Sequence, residues 1–239
     1  STEQRSDRLI LARKVAKGLN ICGIAAGLWV FAYPHPLSLA VHVAAIVPLV
    51  AILSMKSFKG LIRINEYDQT AYPTVLWAIM GSVGGLLMRV LFSYRVYNYD
   101  GIWLPTLLVS VALMVLILLG DKEFKAKDLN AYATVVAVFL FITMYAYAVT
   151  LSYNCLYDTH APEVYATEII SKRSTPGKKP NYYFTVGAWG PETEENEIEV
   201  GHRVYDELSV GDSVILEFHQ GKIKVPWLVV QPVTDTEEQ

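Results

Sequence analysis

The 26 residues from Asn130 to Cys155, NAYATVVAVFLFITMYAYAVTLSYNC, contain no charged side chain and have the length of a helix that crosses a bilayer. They also divide the chain. Upstream lie long apolar blocks; downstream, from Val164, short runs alternate between apolar and polar residues. Of the 239 residues, 53% are hydrophobic and the mean hydropathy is positive, which takes the chain out of the soluble class. Charge is divided just as unevenly. Residues 1–153 carry 13 Lys/Arg against 8 Asp/Glu, and residues 154–239 carry 7 against 15, so the acidic C-terminal part argues against a nucleic-acid partner.

The apolar blocks predict a membrane α-helical bundle of five transmembrane helices within residues 15–155, at about 15–33, 37–55, 73–93, 102–119 and 131–153. Pro34-His35-Pro36 breaks the chain between the first two and makes them a helical hairpin. The first helix is the expected targeting signal, because its apolar run leads into further spans. Before it, residues 1–14 form a basic segment. Arg5, Arg8, Arg13, Lys14 and Lys17 beside Leu9, Ile10, Leu11 and Val15 suit either a short helix on an anionic membrane surface or a solvated run-in that sets topology. With the N-terminus in the cytoplasm, inward segments hold eleven Lys/Arg and the outward loops only Arg95, a strong positive-inside bias. Five spans then place the C-terminal part outside the cytoplasm, at the cell (inner) membrane of a bacterium. Cys22 and Cys155 fall near opposite faces of the membrane, too far apart for a disulfide.

After a linker at 156–163, strands are expected at Val164–Lys172, Tyr182–Trp189, Glu197–Arg203, Ser213–Phe218 and Ile223–Val230. Tyr182, Phe184 and Val186 share one face of the second strand; Val214, Leu216 and Phe218 share one face of the fourth. Five short antiparallel strands within 164–232 predict a small all-β domain, an OB- or SH3-like five-stranded barrel, and 233–239 read as an acidic disordered tail. A helical anchor followed by a β-barrel with the turn Val210-Gly211-Asp212-Ser213-Val214 resembles the plan of NfeD-like membrane proteins. The likeness covers that layout and that turn, and carries no functional residue.

Candidate sites are few. Gly23-x-x-x-Gly27 and Gly81-x-x-x-Gly85 each clear one helix face, for packing of the first span on the third or for a homodimer. Arg89 is the one permanent charge inside a span. It could snorkel, pair with Asp100, or join His42, Tyr145 and Tyr147 in a polar membrane cluster able to hold a lipid headgroup or an anion. Tyr183, Trp189 and Trp227 could form a partner surface or complete the barrel. Asp158, His160 and Glu163 are a weak metal pattern in the linker, and the glutamates of "PETEENEIE" lack a calcium loop's spacing. No G-x-S-x-G, H-E-x-x-H or phosphate loop is present, so no catalytic, cofactor or metal residue is assigned. The expectation is a non-catalytic protein in contact with membrane lipids that binds a protein partner through its barrel. The alternative is a small transporter or channel subunit using Arg89 and His42. A lipid-active enzyme would require Asp158, His160 and Arg89 to converge.

Overall fold

The computed structural model describes residues 2–64, 72–118, 129–177 and 180–233, with side chains at 2–5, 118 and 129–134 excepted. The expected acidic tail, apart from Val233, and the basic loop around Lys122, Lys125 and Lys127 lie outside these residues. The chain forms two compact units. One contains residues 1–93 and 101–156; the other contains 94–100 and 157–239.

The helical unit comprises α1 (Thr2–Ala32), α2 (Leu37–Ser57), α3 (Leu76–Ser93), α4 (Trp103–Leu118) and α5 (Leu129–Leu156). The basic segment at 1–14 is not a separate surface helix. It is the start of α1, because no proline interrupts residues 2–32 and Gly18 has open space around it. The α2 helix ends where Lys59 and Gly60 both turn left-handed, with φ of 50° and 82°.

Four helices, in place of the five expected, are long and apolar enough to cross a membrane: Ser6–Ala32, Leu37–Ser57, Leu76–Ser93 and Val135–Leu156. The α4 helix has 16 residues, about 24 Å of rise against a hydrocarbon core of about 30 Å, and falls short as a regular helix. The distribution of side chains is that of a membrane protein. Small residues are turned inward, with Ala12, Ala16, Ala40, Ala44, Ala51 and Ala78 fully buried, while Leu28, Phe31, Leu53, Phe92, Leu104 and Leu108 are exposed. So much exposed apolar surface is a liability in water and ordinary in lipid.

The β unit is a near-closed, barrel-like antiparallel sheet of six strands, one more than expected. They are β1 (Arg95–Val96), β2 (Glu163–Ser174), β3 (Tyr182–Val186), β4 (Asn196–Val200), β5 (Ser213–His219) and β6 (Trp227–Pro232), in the order β1-β6-β5-β2-β3-β4. A short helix, α6 (His202–Glu207), takes the end of the expected third strand. The long β2 strand serves both halves of the sheet. Its residues 163–168 pair with β5, a register shift follows Ile169, and the remainder pairs with β3. The Ser209–Asp212 turn closes on that shift, with the Gly211 N–H donating to the Ile169 carbonyl and the Ile169 N–H to the Asp212 carbonyl. Phe184, Val186, Val214 and Leu216 are completely buried in the core, and the α6 carbonyls of Tyr205 and Leu208 accept from the Lys172 ammonium.

Candidate functional site

The helical unit is assembled on backbone contact. Gly23 of α1 lies against the backbone of Ala78, and Gly27 against Gly81 and Gly85 of α3, so the two helices run parallel with their small-residue faces turned to each other. One turn before Gly23, Asn20 secures the start of α3. Its amide donates to the Thr74 carbonyl and its Oδ1 accepts from the Ala78 N–H, both at 2.8 Å, satisfying one of the donors that a helix N-terminus leaves open. Between these residues and the cytoplasm-facing half of the basic segment, as read from charge, the helices part around a cleft of about 320 Å³ lined by Arg13, Lys17, Asn20, Ile24, Thr74 and Trp77, among others.

The proposed membrane cluster is dispersed over several helices. His42 Nδ1 meets the Ser38 carbonyl of its own helix at 2.5 Å. The buried Tyr145 on α5 reaches α2, donating to the Ala45 carbonyl at 2.5 Å. Tyr147 stacks on Trp103 of α4 with ring centroids 6.3 Å apart. Asp100 belongs to the β unit, where its carboxylate accepts from Asn98 and its N–H donates back to the Asn98 side chain. Arg89 stays within the helical unit, with a buried Nε that has no hydrogen-bond partner among the described residues. Sequence reasoning missed two companions. Thr106, in the first turn of α4, and Ser152, in the last turns of α5, are each 1% exposed and likewise have unpartnered hydroxyls. Their positions near helix ends were legible, but hydroxyls in apolar helices usually bond the preceding turn, as Ser110 does with Thr106, and so give no signal.

In the β unit, Trp189 is a core residue, 4% exposed, and therefore is not available as a partner surface. Its indole donates to Asn196 and its ring packs on Tyr97, Tyr165 and Phe218. The Tyr97 contact is the feature sequence reasoning overlooked. This residue comes from the loop between α3 and α4, donates its N–H to Pro226 and its hydroxyl to Glu192 at 2.6 Å, and seals one end of the barrel. The hydrogen bond to the Glu192 carboxylate, aided by burial, raises the Tyr97 pKa to about 12. Trp227 is partly buried, stacked on His219 at 4.1 Å with Tyr94 at its edge. Tyr183 faces outward on β3, under the guanidinium of Arg173, which in turn makes a two-point ion pair with Glu197. Together with Thr185, Ser171 and Glu199 these form a polar sheet face carrying one aromatic ring.

The linker carboxylates are already used by the protein. The Asp158 side chain, 2% exposed, accepts from the His160 ring and N–H and from the Gly221 N–H, while Glu163 accepts from Tyr165 and Gln220. No group of three or more potential metal ligands is found among the described residues. Burial pushes the Asp158 carboxyl up, but the hydrogen bonds from His160 and Gly221 outweigh it and hold the group below its ordinary value. A depressed folded value contributes stability that is complete above the ordinary carboxylate range near pH 3.9 and is lost as pH falls through the lower folded value. Asp158→Asn is expected to destabilise the β unit by about 1–3 kcal/mol at neutral pH and to flatten this acid limb. Thermal unfolding at pH 7 and pH 3 measures both, and equal midpoint losses on acidification in variant and wild type would refute the assignment.

Comparison with protein-family models, with characterised proteins and with solved structures finds no match for this chain.

Proposed function

We propose that this chain is a polytopic protein of the cell (inner) membrane that presents a non-catalytic β-barrel on the extracytoplasmic side to a protein partner, in an envelope-accessory or immunity-type role. The observation that carries the reading is the fastening of the barrel. It continues directly from α5 and also takes β1 and Tyr97 from the loop between α3 and α4, so three covalent connections join it to the helices. A domain held in this way remains at the membrane surface under load from a partner.

The same connections support a fifth crossing. Both ends of the 101–156 segment continue into the β unit, so α4 and α5 together must traverse the membrane an even number of times. Since α5 is long enough to cross, α4 crosses too, with flanking residues such as Gly101 and Ile102 making up its length. Orientation rests on the eleven-to-one bias of Lys/Arg.

The strand plan from β2 to β6 supports an OB-type barrel. A three-strand meander is followed by a helix, after which β5 returns to pair with β2 and β6 adds beyond it; β1 occupies the seam next to β6. Such barrels bind through the face of their second and third strands, here β3 and β4. Tyr183 with Arg173 and Glu197 is then the centre of the partner surface, and its carboxylates favour a polypeptide over a polyanion. A photo-crosslinking residue at Tyr183 in intact cells is expected to capture a discrete partner that the same residue at exposed Val210 does not. Identical products from both positions would count against the binding reading. The second reading, a transporter or channel subunit, draws on the unpartnered Arg89, Thr106 and Ser152 groups. Proteoliposome flux that Arg89→Ala abolishes would put it in place of the first.

A further inference from the structure

We propose that the cleft between α1 and the start of α3 is a binding site for the phosphate headgroup of an anionic phospholipid, held by Arg13 and Lys17. The cleft measures about 320 Å³, and its lining changes character with depth. Arg13 and Lys17 stand four residues apart, on one face of α1, at the mouth. Asn20 and the Thr74 backbone form the polar floor, already hydrogen-bonded to each other and so fixed in place. Ile21, Ile24 and Trp77 form the apolar flank, and all three are exposed.

That sequence of groups matches a lipid end to end. Two exposed cations face a phosphate; an indole, 60% exposed, sits at the level where Trp prefers the membrane interface; and branched apolar side chains meet the start of an acyl chain. A soluble anion would use the cations and leave the indole and isoleucines without a role. The shape of the cleft follows from the helices themselves. Glycine contacts at Gly23 and Gly27 draw α1 and α3 together, whereas α3 begins only at Leu76, beside Asn20, so the earlier part of α1 runs on without it and leaves a notch below the contact. Basic notches of this kind between transmembrane helices are where anionic headgroups bind. No ion pair to Lys17 occurs among the described residues, which leaves its ammonium for such a ligand.

The test is native mass spectrometry of the full chain, titrated with phosphatidylglycerol and, separately, phosphatidylcholine. Wild type is expected to retain phosphatidylglycerol preferentially. Arg13→Gln with Lys17→Gln should weaken that retention roughly tenfold or more, whereas Arg8→Gln with Lys14→Gln, an equal loss of charge off the cleft, should change it less than about twofold. Equal retention of the two lipids by wild type would overturn the proposal without any variant. So would equal weakening by the two double substitutions, which would indicate general charge attraction. Displacement of the lipid by millimolar inorganic phosphate would overturn it in favour of a free anion.

Discussion

Gly85→Val is expected to prevent α1 and α3 from packing, while the same change at the adjacent Gly84 is tolerated. A Cβ at Gly85 would fall onto the Gly27 backbone, and one at Gly27 onto Gly81, whereas a Cβ at Gly84 meets nothing within 4 Å. The obstructing atoms are main chain, so no rotamer change can make room; the helices must separate. In lipid, association depends on this close approach because there is no hydrophobic drive to replace it. Overpacking a tight contact costs about 1–3 kcal/mol even where neighbours can yield, and Gly85→Val should exceed the upper end of that range. Separation would also pull Asn20 from Thr74 and Ala78, one turn away, exposing the start of α3. Gly84→Ala, by contrast, should be neutral or stabilise by a few tenths of a kcal/mol, since it only reduces the freedom of the unfolded chain. Denaturant unfolding of the two variants in detergent micelles reads the difference, and equal midpoints would show that the glycine faces do not meet.

This asymmetry between neighbours marks how far the sequence could be read. Gly23, Gly27, Gly81 and Gly85 announce a close helix contact by their spacing, and the parallel course of the first and third spans makes them natural partners. Gly84 sits in the same run of small residues, and only the rotation of α3 distinguishes it. The strands were legible for a similar reason: alternation placed Phe184, Val186, Val214 and Leu216 on the correct faces because a period of two leaves little freedom. Where pattern gave out, the cause was length or distance. A strand of two residues, Arg95–Val96, has no period to detect, and its partner at Trp227–Leu228 lies over 130 positions away. The α4 helix was expected to span because its residues are apolar, yet apolarity reports the environment and not the length of regular helix. Trp189 is large and near a strand end, which fits a rim or a core equally well; the choice depended on Tyr97, which comes from a segment that alternation could not assign to the barrel.

That dependence makes Tyr97 the most consequential single residue of the β unit. Tyr97→Ala removes a ring that touches both Trp189 and Phe218, leaves a cavity at the barrel end and strands the Glu192 carboxylate, for an expected loss of about 3–5 kcal/mol. Because β1 is only two residues long, the loss should also release its pairing with β6 and free the loop between α3 and α4 from the sheet. Tyr97→Phe keeps the ring and isolates the hydroxyl. Its cost at neutral pH should be about 1–2 kcal/mol, the value of a hydrogen bond to a charged acceptor. The two variants differ further in alkali. A folded pKa near 12, above the ordinary value of 10, means that the protonated hydroxyl stabilises the fold below pH 10 and that this contribution disappears as pH rises from 10 to 12. Wild type should therefore lose stability across that window, and Tyr97→Phe should lose less. Near-ultraviolet circular dichroism of the full chain follows the packing of Trp189 through both experiments. If Tyr97→Ala unfolds with the wild-type midpoint, the interhelical loop is not part of the barrel, and the fastening on which the proposed function rests is gone.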